Sequence, residues 1–491
     1  MKFLFLFFGI FVFLGGGASY AANVETKSDL YLDLERLSAY GLIDSAILGA
    51  RPIDRREFAR LVIEASKKFE VQATSNLPQT LKFILEKLKE EFREEIAEIG
   101  YEASYIKPIR KANLKYSHLE GDASTFPGIK ASQEPFNYNN EGIALDKDNL
   151  FINLEGDARY GSLSFYINPL LTSNLEPQTF KLNKGYGKFY IGRFSVEAGK
   201  DSLWWGQGRH GSLILTNNAE PFKLLKISNE VPFNLPILGL FRIDFLLTRL
   251  EEDRDHPKPY FGGIRLSFKP GPWLEFGLTR TVITGGRGMP SLGPGDIGTI
   301  LIGKNLEGKA KGESNQIAGV DVRMRITPLK AYIYGEAAGE DEAGWLPYKW
   351  AYIAGIYFAD ILGADLRVEY ANTAFQYAGW YTHGVYTSGY TYKGRLIGHH
   401  MGGDAKDIFV GSSLFLSRNT KVSLHYDYEK RGVSRPNPES HNEVLFGLKQ
   451  KISKGITLSL KGGYEKVKNS DYVSGRDREN KLIEFSVELM R

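Results

Sequence analysis

A chain of 491 residues in which 62 basic side chains nearly balance 58 acidic ones, leaving a net charge of +4, shows no bulk electrostatic preference for a partner. The absence of cysteine excludes a disulfide framework, a lipid-modified N-terminal cysteine and thiolate metal sites. The 27 Tyr, 30 Phe and 53 Gly, with a negative mean hydropathy, suit a β-barrel with a wet interior better than a multi-domain soluble protein.

At the start, Lys2 precedes the apolar run Phe3 to Leu14, and Ser19 and Ala21 have the spacing a signal peptidase accepts. Residues 1–21 are therefore expected to be a cleaved signal peptide, and nucleic acid is not expected as a partner of an exported chain. No later run of roughly eighteen apolar residues predicts a transmembrane helix.

Residues 22–108 read as a periplasmic helical bundle. Leu30, Leu34 and Leu37 recur at helical spacing, with Ser28 or Asp29 as N-cap and Gly41 as terminator. Asp54 with Glu57 predicts a capping box before the stripe Phe58, Leu61, Val62, Ala65 and Phe69. A third helix places Leu81, Ile84, Leu85, Leu88, Phe92 and Ile96 on one face.

From about Asn113 the period falls from 3.6 to 2, and residues 109–491 read as an antiparallel transmembrane β-barrel. Phe241, Ile243, Phe245 and Leu247 alternate with Arg242, Asp244 and Thr248; Val320, Val322 and Met324 alternate with Asp321, Arg323 and Arg325. An apolar and aromatic parity on long strands faces lipid, and the polar parity faces a watery lumen. Tight turns at Lys269–Pro272, Thr327–Lys330, Ser417–Thr420 and Ser453–Gly455 alternate with long loops at Thr284–Asn315, Thr373–Ala405, Arg431–His441 and Lys468–Glu479. That alternation predicts a mainly β protein of about eighteen strands, with long loops extracellular and both termini periplasmic. The last strand puts Ile483, Phe485, Val487 and Leu489 toward lipid and ends in Arg491, where barrels usually end in an aromatic residue.

The segment "GKDSLWWGQGRHGSLILTNNAEPF" contains Gly206, Gly208 and Gly211 in the order G-x-G-x-x-G. A dinucleotide-binding turn needs a helix after the glycines, whereas "SLILTNNAEP" is rich in β-formers and turn residues. These glycines are read as a loop.

Together with "EYANT", "YTHGVY" and "GYTYKGRLIGHHMGGDA" farther on, the pieces "WWG" and "NNAEPF" resemble the Wzi-type capsule assembly family along nearly all of the chain after the leader. The resemblance implies an outer-membrane barrel behind a small helical bundle, holding capsular polysaccharide without catalysis and without cofactor. The expected partners are capsular or extracellular polysaccharide, outer-membrane lipid and the polysaccharide export machinery. The helical segment also looks somewhat like a surface-layer homology segment, "LERLSAYGLID" followed by "RPIDRREFARLV", which keeps a diffusion porin as the alternative. A glycan hydrolase is the second rival.

Sugar recognition uses aromatic faces with planar amide and carboxylate hydrogen-bonders. Trp204, Trp205, Asn217, Asn218 and Glu220 supply that mixture, although the tryptophans could equally belong to an aromatic girdle or wedge the loop into the lumen. The loop from Thr373 to Ala405 adds Trp380, Tyr381, His383, Tyr386, Tyr390 and Tyr392, then Arg395, His399, His400 and Asp404. An Arg with His and Tyr donors suits acidic sugars, and plain loop packing is the competing reading. His383, His399, His400 and Asp404 could hold zinc, but they form no compact motif, and no metal is expected. No catalytic constellation stands out: Asp365, Arg367 and Glu369 share the lumenal parity and read as a charge ladder.

Overall fold

The computed structural model describes residues 22–72, 77–97, 104–174, 179–290, 293, 295–296, 314–343, 346–376 and 378–490. The expected signal peptide and most of the loop Thr284–Asn315 lie outside the described residues.

Eighteen antiparallel strands close into a barrel, from Tyr105–Glu120 to Arg478–Met490, with the first paired to the last through Leu114↔Val487 and its neighbours. The first strand begins four residues ahead of the boundary read from the sequence. Pro108 lies where its pairing with Asp148–Tyr160 shifts register, between Lys107 and Lys111. A proline has no N–H to give to the ladder, so a bulge is where a strand tolerates it.

Strand parity follows the sequence pattern. In Gly239–Arg249 the side chains of Arg242, Asp244 and Thr248 are buried in the lumen, while Ile243, Phe245 and Leu247 face outward. In Ser314–Ile326, Val320 and Met324 are exposed outward, and Asp321, Arg323 and Arg325 are buried. Ile483, Phe485 and Leu489 of the last strand are also exposed outward. This outer belt is what a bilayer requires of a spanning barrel, whose backbone groups all pair between strands and leave no edge.

The helices Leu30–Ala39, Arg55–Val71, Gln79–Glu91 and Arg93–Ala97 gather at the tight-turn end. Asp54 caps the second helix by accepting from Arg56 N, 2.9 Å. The expected capping box does not form, because the Glu57 carboxylate is taken by Arg60 at 2.7 Å. The expected third helix breaks at Phe92, a fully buried ring that stacks on Phe58, 4.7 Å between centroids, with Arg55 above it.

The bundle does not stand apart from the barrel. Its core (Leu34, Leu37, Phe58 and Leu88 among others) is continuous with Tyr332, Tyr334 and Tyr357 of the barrel wall. Tyr40 donates to Asp360 at 2.6 Å beside the turn Ile361–Ala364. The C-terminal strand ends at this same end, and the long loops gather at the other.

Leu266 faces outward between Ile243 and Leu278 on the neighbouring strands. Leu266→Arg is expected to destabilise the inserted barrel by about 2–4 kcal/mol if it lies near the bilayer midplane. The check is the fraction of heat-modifiable, folded band recovered from membranes relative to wild type.

Candidate functional site

The lumen is lined by charged side chains, and the chain itself supplies their partners. From the tight-turn end, Glu35 of the first helix reaches Arg323 at 2.7 Å and Arg367 at 2.6 Å, and Arg36 reaches Asp365 at 2.9 Å. Arg325 donates to the carbonyls of Ser38 and Ile43 and to Asp44. The segment before the first helix runs along the opposite wall. There Asn23 donates to Glu197 and Asp201, both at 2.9 Å, and Lys184 pairs with Glu25 and Glu141, both at 2.5 Å. In the charge ladder, Asp365 and Arg367 are therefore met by the first helix, and Glu369 by Tyr334 and by the glycine-rich loop.

The glycine-rich loop, residues 202–221, folds inward from the long-loop end. Ala50 and Arg51 pair with Trp205 and Trp204 as a two-residue ladder, which joins this loop to the bundle inside the barrel. Its backbone amides meet carboxylates of the wall: Gly208 N and Leu213 N donate to Glu336 at 2.7 and 3.0 Å, and Arg209 N and His210 N donate to Glu369 at 2.8 and 2.9 Å. Convergent backbone N–H groups form an anion site, and here the anions are the protein's own glutamates. The glycines permit the approach. A Cβ at Gly206, where φ is +140°, would fall 2.2 Å from Ser212 Oγ; one at Gly208 would fall 2.0 Å from Gly211 O. No helix follows, which disposes of the nucleotide pattern.

The second loop, residues 373–404, lies over the first. Tyr381 donates to Leu213 O at 2.6 Å and accepts from His399 N at 2.9 Å; Tyr390 donates to Ile214 O at 3.0 Å and meets Thr281 Oγ1 at 2.7 Å. Trp380 Nε1 donates to Lys349 O, and Arg395 pairs with Ser132 O and Glu134. Asn218 bonds Asn139 N and Leu396 O, and Asn217 O accepts from Glu141 N. Tyr392 stacks on Phe222, 4.9 Å between centroids, and Tyr386 donates to Gly285 O.

These contacts are those of the competing reading, loop packing within the lumen, for most of the candidate set. Trp204, Trp205, Asn217, Asn218, Trp380, Tyr381, Tyr386, Tyr390, Tyr392, Arg395, His399 and His400 are all buried, and only Glu220, His383 and Asp404 of the residues singled out keep partial exposure. The aromatic side chains fill the lumen, because a wide barrel leaves a volume that only large rings close with few residues. His383 bonds amides of its own turn and Asp404 bonds Ser434, so the zinc set of the sequence does not come together.

Sequence reasoning named Glu220 but missed two features, the lysines gathered around it and a charged cleft. Glu220 stands at the rim among Lys393 at 2.8 Å, Lys200 at 3.3 Å and Lys181 at 4.0 Å. Burial would raise the Glu220 pKa, but the three ammonium groups hold it below the usual carboxylate range. Three cations around one anion leave a net positive rim. The second is a cleft lined by Tyr138, Asp427, Arg431, His441, Glu443 and Arg478, among others. Charged residues on separate strands carry no local spacing signal, so neither was legible before folding.

An eighteen-stranded barrel with an apolar outer belt and a lumen entered by its own loops and helices defines a class, an outer-membrane-type β-barrel. Residues 124–482 match the family model described as capsule assembly protein Wzi, and the chain belongs to that family. A 55.8 kDa protein from the cps region of Klebsiella pneumoniae is 27% identical over 362 residues, which span 71% of this chain and 64% of that relative's length. The fold is also that of the Escherichia coli outer-membrane protein Wzi, a carbohydrate-binding β-barrel involved in group 1 capsule assembly. The two superpose with a TM-score of 0.72 at 19% identity, covering 96% of this chain and all of the other.

Tyr390→Ala removes a fully buried ring and two hydrogen-bond contacts, so it is expected to cost about 3–5 kcal/mol of stability. Glu336→Ala leaves buried amides of Gly208 and Leu213 unpartnered, at about 1–3 kcal/mol each. Thermal unfolding of the detergent-solubilised barrel, with mass-spectrometric mapping of protease cuts in residues 202–221 and 373–404, checks both.

Proposed function

We propose that this protein sits in the outer membrane and holds capsular or other extracellular polysaccharide at the cell surface, non-catalytically. The observation that carries the reading is the plug. Among the described residues, loop 202–221 pairs with Ala50 and Arg51 of the bundle inside the barrel, loop 373–404 is hydrogen-bonded onto loop 202–221, and the first helix forms ion pairs with the wall, an arrangement unsuited to a diffusion pore. Membership of the capsule assembly family supports the same function. Of the lysines around Glu220, Lys393 is exposed and Lys181 and Lys200 are half-buried, and together they offer a cationic patch suited to uronate or pyruvyl carboxylates, with Lys393 lying 5.6 Å from the Tyr392 ring centroid. Of the residues foreseen from sequence, the buried tryptophans, tyrosines, asparagines, Arg395 and histidines would serve indirectly, by shaping the plug that presents the rim.

The orientation belongs to the same reading: helices and both termini toward the periplasm, long loops outward, with lipid around the belt and export machinery as a transient partner. Protease added to intact cells should leave residues 30–97 uncut.

The function is tested by deleting the gene and complementing with wild type or with Lys393→Glu combined with Lys200→Glu. The deletion should shed surface polysaccharide into the medium, wild type should restore retention, and the double variant should restore barrel level without retention. Reversing two contacts worth about 1 kcal/mol or more each should weaken each polymer contact at least tenfold. Full retention in the deletion strain, or large steady conductance of the purified protein in planar bilayers, would favour the porin.

A further inference from the structure

Where the two plug loops meet the wall, two imidazoles and two carboxylates converge. They are His210 from loop 202–221, His400 from loop 373–404, Asp407 from the strand Ala405–Ser417, and Asp427 from the adjacent strand Thr420–Arg431. One ligand atom from each lies within 4.8 Å of every other. His210 Nε2 is 3.1 Å from Asp427 Oδ2 and 3.5 Å from Asp407 Oδ2, and His400 Nε2 is 3.6 Å from Asp407 Oδ2.

We propose that this cluster binds a divalent transition ion of the zinc class, which fastens both plug loops to the barrel wall. Three observations carry the assignment. The first is spacing: ligands about 2.0–2.2 Å from a tetrahedral zinc stand about 3.3–3.5 Å apart, close to the three distances given. The second is unmet demand. All four side chains are at least nine-tenths buried, yet both ring nitrogens of His400, Asp407 Oδ2 and Asp427 Oδ1 have no hydrogen-bond partner. His400 Nε2 does approach Glu429 Oε1 at 3.0 Å, but without hydrogen-bond geometry, and that carboxylate is engaged by Arg431. Buried polar groups are ordinarily satisfied, so one ring nitrogen of His400 and the unpaired oxygens of Asp407 and Asp427, all within one cluster, ask for a ligand. The third is charge: two carboxylates and two neutral imidazoles balance a divalent ion.

The donor set selects the metal. Calcium and magnesium favour all-oxygen shells, whereas paired imidazoles suit zinc and its neighbours. Stacking holds the rings in place, with Phe409 4.0 Å from His210 and Tyr138 4.3 Å from His400. The His210 amide is tied to Glu369, and Asp427 also lines the neighbouring cleft together with Tyr138. His400 belongs to the zinc set considered from sequence, but its partners are different residues.

The full-length barrel, folded in detergent, is stripped with EDTA, dialysed against zinc chloride and then against buffer, and its zinc is measured by plasma mass spectrometry. Wild type and His383→Ala should each retain a single zinc per chain, whereas His400→Ala and Asp407→Asn should retain none. Zinc should also slow proteolysis within residues 373–404 of the wild type. Folding of each variant is confirmed by heat-modifiable migration. If neither ligand variant folds, cobalt bound to the wild type decides: intense tetrahedral ligand-field bands support the site, and weak octahedral bands overturn it. Folded wild type that retains no zinc, or His400→Ala that retains as much as wild type, also overturns it.

Discussion

A carboxylate or guanidinium facing the lumen of a wide barrel must find a partner, and most of this molecule's organisation depends on that demand. Glu35 between Arg323 and Arg367, and Glu336 and Glu369 against the amides of loop 202–221, are two answers to one constraint. Breaking a buried pair by removing one partner leaves an uncompensated charge, which costs far more than the intact pair contributes. The helices, the inward loop and the wall are thus interdependent: each satisfies groups that another would leave exposed to a poorly hydrated interior.

The same constraint explains why the aromatic side chains lie inside. Once the backbone of loop 202–221 is held on the wall glutamates, the space above it is closed by Tyr381, Tyr390 and Trp380, whose polar atoms each reach a carbonyl or an amide. Rings with a polar end fill volume while answering backbone groups at the same time. Substituting such a ring changes the plug, and through it the surface that the plug presents.

On the proposed function, the consequence for a surface polymer is a platform held by the packed loops. Contacts to a long glycan are individually weak and act in number, so a fixed array of charges presents them without an ordering cost at each encounter. Glu220 lies in "NNAEPF" and Lys393 in "TYKGRL", and an ion pair joins the two. On the proposed function, binding at the mouth and packing of the lumen are served by the same two loops.

The sequence by itself determined the architecture. Period-2 alternation in segments such as Gly239–Arg249 and Ser314–Ile326 separates the lipid-facing side chains from the lumenal ones, and short and long connections alternate with the ends of the barrel. Those are local properties, carried by neighbouring residues along one strand. The motifs of loops 202–221 and 373–404 also marked the segments that matter. What only the tertiary structure decided is the direction in which those segments face. Whether Tyr390 meets solvent or Ile214, and whether His400 joins Asp404 or Asp407 and Asp427, depends on strands far apart in the chain that barrel closure brings together. No spacing along the chain encodes that meeting, because the partners are set by register around the barrel, not by distance along it.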